Sequence, residues 1–416
     1  MTRSAFEEIL GKDDLPDLII PNYHSASRAA CKATSKITKV RLNLSQAQGQ
    51  LEIGLLKNLL DKGMVDGLVV GNDAQYILEN LFSLSQYPSI QKLIIDRCND
   101  LSQSALVGYL NKFPNLEDVH FGGSRILSGF DFSGCLHIEK IRRADFSRSN
   151  IGKVDLEKFL LRAQDIEFLS LEYCNQFAEV LRPPAFLELQ DLPKLKEVSF
   201  RFCDTGFVSV STFLPKCTSL ESLNVSGCFN LGYFNLKRIN YPASLKSIVL
   251  EGLDNLSDVL VKISADCPDL ESIDARMTNG FDQVELMSKL ENLKEVNLSG
   301  SDIGKNLGAF LGKCLQIAKL DLSLCKNLRH LDLSQFGELN NLRDLDLSGC
   351  DIDELGLRIL LSVGQNIERI NTQHCVGVSS GLRSENISQI RSRLGMVSRP
   401  LDMTRSLGGS FGSMSL

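Results

Sequence analysis

Three short stretches carry residue types at spacings that can do chemistry. Gly408-Gly-Ser410-Phe-Gly412 has the G-x-S-x-G form of a nucleophile elbow, where a sharp strand-to-helix turn exposes a serine hydroxyl for acyl transfer. Gly300-Ser-Asp-Ile-Gly304-Lys305-Asn306 approaches a phosphate-cradling loop, in which backbone N–H groups and a lysine hold an anion. Cys98-Asn-Asp100 sets a carboxylate two residues after a thiol. None has the surroundings its chemistry needs. The elbow stretch lies in a tail without the periodicity of a strand or helix. The loop stretch is one residue short and lacks the Ser or Thr that follows the lysine in such loops. The five histidines are scattered, with no metal-ligand spacing among them. The chain is therefore expected not to be an enzyme, and to need no metal or cofactor.

The elements that position these residues follow from a repeat. Residues 317 to 375 write as three rows: Ile317-Ala-Lys-Leu320-Asp-Leu322-Ser-Leu-Cys325, Leu342-Arg-Asp-Leu345-Asp-Leu347-Ser-Gly-Cys350 and Ile367-Glu-Arg-Ile370-Asn-Thr372-Gln-His-Cys375. Each has the form L-x-x-L-x-L-x-x-C, and each starts 25 residues after the last. The template runs back through Leu293, Leu270, Leu245, Leu220, Leu195, Ile166, Ile141, Leu116, Ile90, Val65 and Ile37, which makes 14 repeats at spacings of 23 to 29. Self-similarity at such a period decides the architecture before any local propensity does. The first, second and fifth repeats are weak; in the fifth, Ala144 and Phe146 stand for two leucines.

A repeat near 25 residues that ends in Cys, with another Cys three residues before the next first leucine, resembles the cysteine-containing class of leucine-rich repeat common in F-box/leucine-rich-repeat proteins. Cys98, Cys174, Cys203, Cys228, Cys325, Cys350 and Cys375 take the row-end place, and Cys135, Cys217, Cys267 and Cys314 the C-x-x-L place. The resemblance spans about residues 37–375. It implies an α/β fold: a right-handed solenoid, or horseshoe, with a parallel sheet on the concave side and helices on the convex side. Strands stack about 4.8 Å apart and helices are about 10 Å across, so the helical side must splay. Bacterial leucine-rich-repeat ubiquitin ligases also use C-x-D, but in a separate catalytic domain for which this chain has no room.

Three segments are expected: 1–36, a repeat array over 37–378 and a terminal piece over 379–416. Two readings stand for residues 1–36. Ser4-x-x-Glu7 has capping-box spacing before Ile9 and Leu10, and residues 24–35 read as a second helix, so the segment is a helical cap over the open end of the core. Alternatively, Leu15-Pro16 with Ile19 and Ile20 resembles the opening of an F-box, and Ala30-Cys31-Lys32 resembles its V-C-K. That resemblance implies a reduced F-box that binds the linker subunit of a cullin-type ubiquitin ligase. The segment departs from the family in its shortness and in lacking the aromatic after V-C-K. At the other end, Ile387, Ile390 and Leu394 form a closing turn, and a disordered Ser/Gly-rich tail follows. From Ser379 onward five arginines face two acids, so this tail is basic. Intracellular bacterial effectors also carry F-box-like and leucine-rich-repeat modules into host cells, and such a tail is compatible with that origin.

Bulk numbers narrow the partner. A net charge of −6 argues against a nucleic-acid binder held by phosphate contacts. Residues 1–10 include two acids and no long apolar run, so they do not read as a signal peptide. No stretch of about 18 apolar residues is available to span a membrane. Cysteines placed by the repeat behave as small buried hydrophobes and are expected to stay reduced, in cytosol or nucleus. A monomer that grips a partner protein is the expectation.

In each row the leucines point inward, and the x residues beside them face the concave side by the two-residue period of a strand. Two patches stand out on that face. Phe168, Glu172, Tyr173, Arg201, Phe202, Glu251 and Arg276 combine aromatics with arginine, the usual composition of an interface hot spot. From the tenth repeat onward the face turns small and acidic, with Asp274, Asp321, Asp344 and Asp346. Asp321 and Asp346 are expected to be lateral neighbours whose mild repulsion a basic partner would relieve. D-L-S as ordinary repeat filler is the other reading of those acids.

Overall fold

The computed structural model describes residues 40–43, part of 57–98, and 101–396 apart from short stretches, the longest being 177–185, 229–237 and 330–336. The F-box-like residues Leu15, Pro16, Ile19, Ile20, Cys31 and Lys32, and the G-x-S-x-G stretch, lie outside the described residues. The chain divides into two compact units, Met1–Leu293 and Lys294–Leu416.

The first unit is a run of parallel strands: Val40–Asn43 (β1), Val65–Val70 (β2), Lys92–Ile95 (β3), Asp118–His120 (β4), Arg143–Asp145 (β5), Phe168–Ser170 (β6), Glu197–Ser199 (β7), Ser222–Asn224 (β8), Ser247–Val249 (β9) and Ser272–Asp274 (β10). From β2 onward each pairs with the next in register, so equivalent template positions become lateral neighbours, as His120 and Asp145 do. β1 pairs with β2 through a register shift between Val40 and Arg41 that sets Leu42 beside Leu68, so the first row lies two residues on from the start expected at Ile37. Between strands the chain returns through short helices: Gln103–Leu110 (α1), Lys153–Leu160 (α2), Phe207–Phe213 (α3) and Ser257–Asp266 (α4). Ser102 caps α1 by accepting the N–H of Ala105. Residues 122–137 return the chain through 3-10 turns at Arg125–Leu127 and Phe132–Gly134.

The second unit repeats the plan with Glu295–Asn297 (β11), Lys319–Asp321 (β12), Asp344–Asp346 (β13) and Arg369–Asn371 (β14), paired parallel in that order. Leu307–Leu311 (α5) and Glu354–Val363 (α6) return the chain, and Asp353 caps α6 through the N–H of Gly356. Ile387–Arg393 (α7) follows β14 and buries Ile390 and Leu394. Thr372 stands where the third leucine is expected, and its hydroxyl donates to the Leu382 carbonyl at 2.6 Å.

The template leucines form the core in both units. Ile166, Leu169, Leu171 and Cys174 are buried, as are Leu342, Leu345, Leu347 and Cys350. The weak fifth repeat is complete in space, because Phe146 fills the leucine place against Phe159 (ring centroids 5.2 Å apart) and Phe132 (6.5 Å). Eleven free cysteines are buried. One cysteine placement from the sequence is corrected: Cys135 does not precede a first leucine by three. An extra 3-10 turn at Ile138–Lys140 intervenes, and Ile138 takes that place before Ile141.

Row-end cysteines have a specific reason to be cysteine. Five thiols donate to the carbonyl of the third apolar residue one repeat earlier: Cys174 to Phe146 (3.1 Å), Cys228 to Phe200 (2.8 Å), Cys325 to Leu298 (3.0 Å), Cys350 to Leu322 (2.7 Å) and Cys375 to Leu347 (2.9 Å). Those carbonyls already accept a backbone N–H, as Leu322 does from Cys325, so the thiol takes the second lone pair. A leucine at that place would fill space without donating.

Candidate interaction surface

Each row ends in the same tight turn. The N–H of the row-end residue bonds the carbonyl of the third apolar residue, as from Cys174 to Leu171 and from Cys203 to Phe200. The residue just before the row end then has positive φ, where glycine is the unstrained choice. In the first unit that place holds Arg97, Gly123, Arg148, Tyr173, Phe202, Gly227, Gly252 and Met277; in the second it holds Gly300, Leu324, Gly349 and His374. Three successive repeats therefore put Arg148 (φ 58°), Tyr173 (57°) and Phe202 (51°) where L-residues are strained.

These side chains form a row. The Arg148 guanidinium lies 5.1 Å from the Tyr173 ring centroid. Tyr173 stacks on Phe202 with centroids 5.0 Å apart and planes 21° from parallel. Phe202 lies over Gly227, where an added Cβ would come within 2.4 Å of the ring. Arg201 closes over Phe202 at 4.7 Å and donates to the Tyr173 hydroxyl at 3.1 Å. Tyr173, Arg201 and Phe202 are half-buried, and Arg148 is exposed.

Beyond this row the arginines and acids pair with each other. Arg276 bonds Asp274 (2.9 Å) and Glu251 (3.3 Å), and Arg201 reaches Glu251 at 4.0 Å. Glu172 accepts from the Ser199 hydroxyl at 2.8 Å. Phe168 stands apart from the Tyr173–Phe202 stack, five residues before Tyr173 in the same repeat. It carries the Arg143 guanidinium 4.1 Å from its centroid. Arg143 and Arg148 escaped the sequence reading, although one repeat of offset puts each beside an aromatic.

The acids of the second unit have internal roles. Asp321 and Asp346 are lateral neighbours as expected. Each also accepts a backbone N–H two residues on, from Ser323 (2.9 Å) and Ser348 (2.8 Å). Asn224, Asp274 and Asn371 make the same bond, so Asp or Asn before the third leucine is a turn-former throughout. Asp344 pairs with Arg369 at 2.8 Å.

One titratable pair lies on the strand face. His120 Nδ1 is 2.6 Å from Asp145, and its ring sits against Gly122. The bond to Asp145 raises the imidazole above its ordinary value; burial opposes this, and Asp145, Asp96 and Asp118 add to the rise through their charge. Burial pushes the Asp145 carboxyl up, but bonds from His120 and Ser147 more than offset that and hold it below the usual range. The thiols are inert by the same physics. Burial pushes Cys174 up to about 11 and Cys325 up to about 12, far from a nucleophilic thiolate at neutral pH. Among the described residues no cluster of His, Cys, Asp or Glu has the makings of a metal site, and no helix is long and apolar enough to cross a membrane.

Comparison with known proteins agrees with this geometry. A leucine-rich-repeat family model matches residues 338–359. The solved structure of an internalin (inlF) from Listeria monocytogenes superposes with a TM-score of 0.51 at 18% identity, covering 88% of this chain and 93% of that one. A probable disease resistance protein of Arabidopsis thaliana is 26% identical over 323 residues, which are 61% of this chain. The match spans only 18% of that relative's length. The chain thus has the α/β leucine-rich-repeat fold expected from its rows, a class whose stacked strands present extended binding surfaces. None of these matches is to a catalytic family.

Proposed function

We propose that this protein is a non-enzymatic interaction scaffold that binds a partner protein on the strand face of its first unit, at the Tyr173–Phe202 stack. One observation carries the reading: three successive repeats hold Arg148, Tyr173 and Phe202 in a backbone conformation where glycine would be relaxed. Strain kept in three neighbouring rows whose side chains also stack on one another supports a functional reading of this stretch. Half-buried aromatics flanked by arginine are the composition of binding hot spots. Its reduced, buried thiols suit cytosol or nucleus, where it acts as a monomer.

The test is a pull-down with mass spectrometry using the full chain. Tyr173→Gly with Phe202→Gly removes both rings and relaxes the backbone. Leu324→Gly does the same at the equivalent place in the second unit, where Leu324 is 56% exposed. Prey kept by wild type and Leu324→Gly, and reduced at least tenfold by the double variant, is the expected result. Prey that is identical for all three removes the reading.

A second reading adds a ubiquitin-ligase adaptor role, carried by Leu15-Pro16 and Ala30-Cys31-Lys32 in the sequence. Its check is whether ligase subunits among the prey vanish with Leu15→Asp.

A further inference from the structure

The charge balance of the strand face says what kind of partner it takes. Its arginines divide into two sets. Arg201 and Arg276 are neutralised by Glu251 and Asp274, and Arg97 lies 3.9 Å from Asp96. Arg143 and Arg148 have no carboxylate partner among the described residues. Arg143 has Asp118 as its lateral neighbour on one side, but that carboxylate is held by Lys92 at 2.8 Å, and the guanidinium turns to Phe168 on the other side. Arg148 has Gly123 and Tyr173 beside it in the equivalent places and stacks on the tyrosine.

A guanidinium stacked on a ring keeps its N–H edge free, and that edge matches a carboxylate in two parallel bonds. Two such posts stand in one repeat, five residues apart, Arg143 on the strand and Arg148 in the turn that ends the row. The surface between them is of a different kind. Asp145 is bound by His120, Glu172 by Ser199, and the Ser147 and Ser170 hydroxyls bond each other at 2.8 Å. This middle is small, polar and negative. It repels a ligand with continuous negative charge and accepts one that is neutral between two acids.

We infer that the partner presents an acidic peptide with two carboxylates separated by a neutral stretch, which Arg143 and Arg148 clasp while that stretch crosses Ser147 and Ser170. This rests on the proposal that the first unit's strand face is the binding face. It adds the chemistry of the occupant.

The test is panning a random 12-residue peptide display library on the folded full chain, followed by fluorescence anisotropy with the enriched peptide. Expected are sequences with an acidic pair around a neutral centre. Their affinity falls at least tenfold in Arg143→Gln/Arg148→Gln, which circular dichroism shows to be folded, and it falls with added salt. Charge-preserving Arg143→Lys/Arg148→Lys recovers part of the loss, which a purely structural role for these residues would not predict. The inference is overturned by enrichment of peptides without acids, by no enrichment over the bare surface, by equal affinity for the Gln variant, or by a single-stranded RNA 12-mer that binds more tightly than the peptide. The two proposals fail separately. Prey lost with Tyr173→Gly/Phe202→Gly but kept by Arg143→Gln/Arg148→Gln leaves the binding face standing and removes the acidic peptide.

Discussion

Phe202 offers a direct test of the strained row, by comparing two substitutions that remove the same ring. Phe202→Ala and Phe202→Gly both lose the stack on Tyr173 and the Arg201 contact, so those losses cancel in the difference. What remains is the backbone. At an ordinary strand position alanine is favoured over glycine by about 0.5–1 kcal/mol, because glycine loses more freedom on folding. With φ of 51°, an L-residue costs roughly 1–2 kcal/mol that glycine does not. The balance reverses sign: Phe202→Gly is expected to be the more stable variant by about 0.5–1 kcal/mol. Urea unfolding followed by circular dichroism measures this from the midpoints, provided the slope is unchanged between variants. The exposed strand residue Glu197 supplies the control, with Glu197→Ala more stable than Glu197→Gly. Both Phe202 variants should lose partner binding equally. A Phe202→Ala protein as stable as Phe202→Gly, or more so, refutes the claim that this row is held against its backbone preference.

Three further outcomes follow from packing and titration. Gly377, which forms an isolated parallel β-bridge with Asp353, has no room for a side chain: Gly377→Ala drives a Cβ to 2.2 Å from the Ile352 carbonyl oxygen; backbone cannot swing aside as a side chain can, so a loss of roughly 1–3 kcal/mol is expected in the same urea assay, and a neutral result would show that this bridge is loose. The eleven buried thiols should resist alkylation at pH 8 in native protein and react on unfolding, and peptide mapping that finds Cys325 or Cys350 labelled in native protein would contradict the burial. For the His120–Asp145 pair the signs differ by partner. The raised imidazole gives stability that is full below its unfolded value of about 6.5 and fades as pH climbs through the folded one. The lowered carboxyl gives stability present above its unfolded value of about 3.9 and lost in acid. His120→Gln should therefore cost most between about pH 4 and 6.5, on the order of 0.2–1 kcal/mol, and a cost that does not vary from pH 5 to 9 would show that the pair does not titrate as described.

The rows made the fold legible because burial has a fixed period here. Four inward residues per repeat name the strand, its register and the buried cysteines, and one register rule then gives the lateral pairs from β2 to β10 and from β11 to β14; the weak first row is the exception, two residues out of place. By that rule His120 beside Asp145, and Arg143 beside Phe168, were already determined by their equal places in neighbouring rows. What the rows do not display is direction within a place. Nothing in the string D-L-S says that the acid turns down to its own backbone, as Asp321 and Asp346 do, rather than out to a partner. Cys135 shows the other limit, since an inserted turn shifts a template without breaking the apolar pattern. The residue before the row end is the most informative place of all, and it reads as an arbitrary x. Glycine there in some repeats reveals the backbone requirement, and the repeats that go without it are the ones to examine. Where Arg148, Tyr173 and Phe202 replace glycine three times running, the side chains gain contacts with one another, guanidinium on ring and ring on ring, that offset part of what the backbone loses.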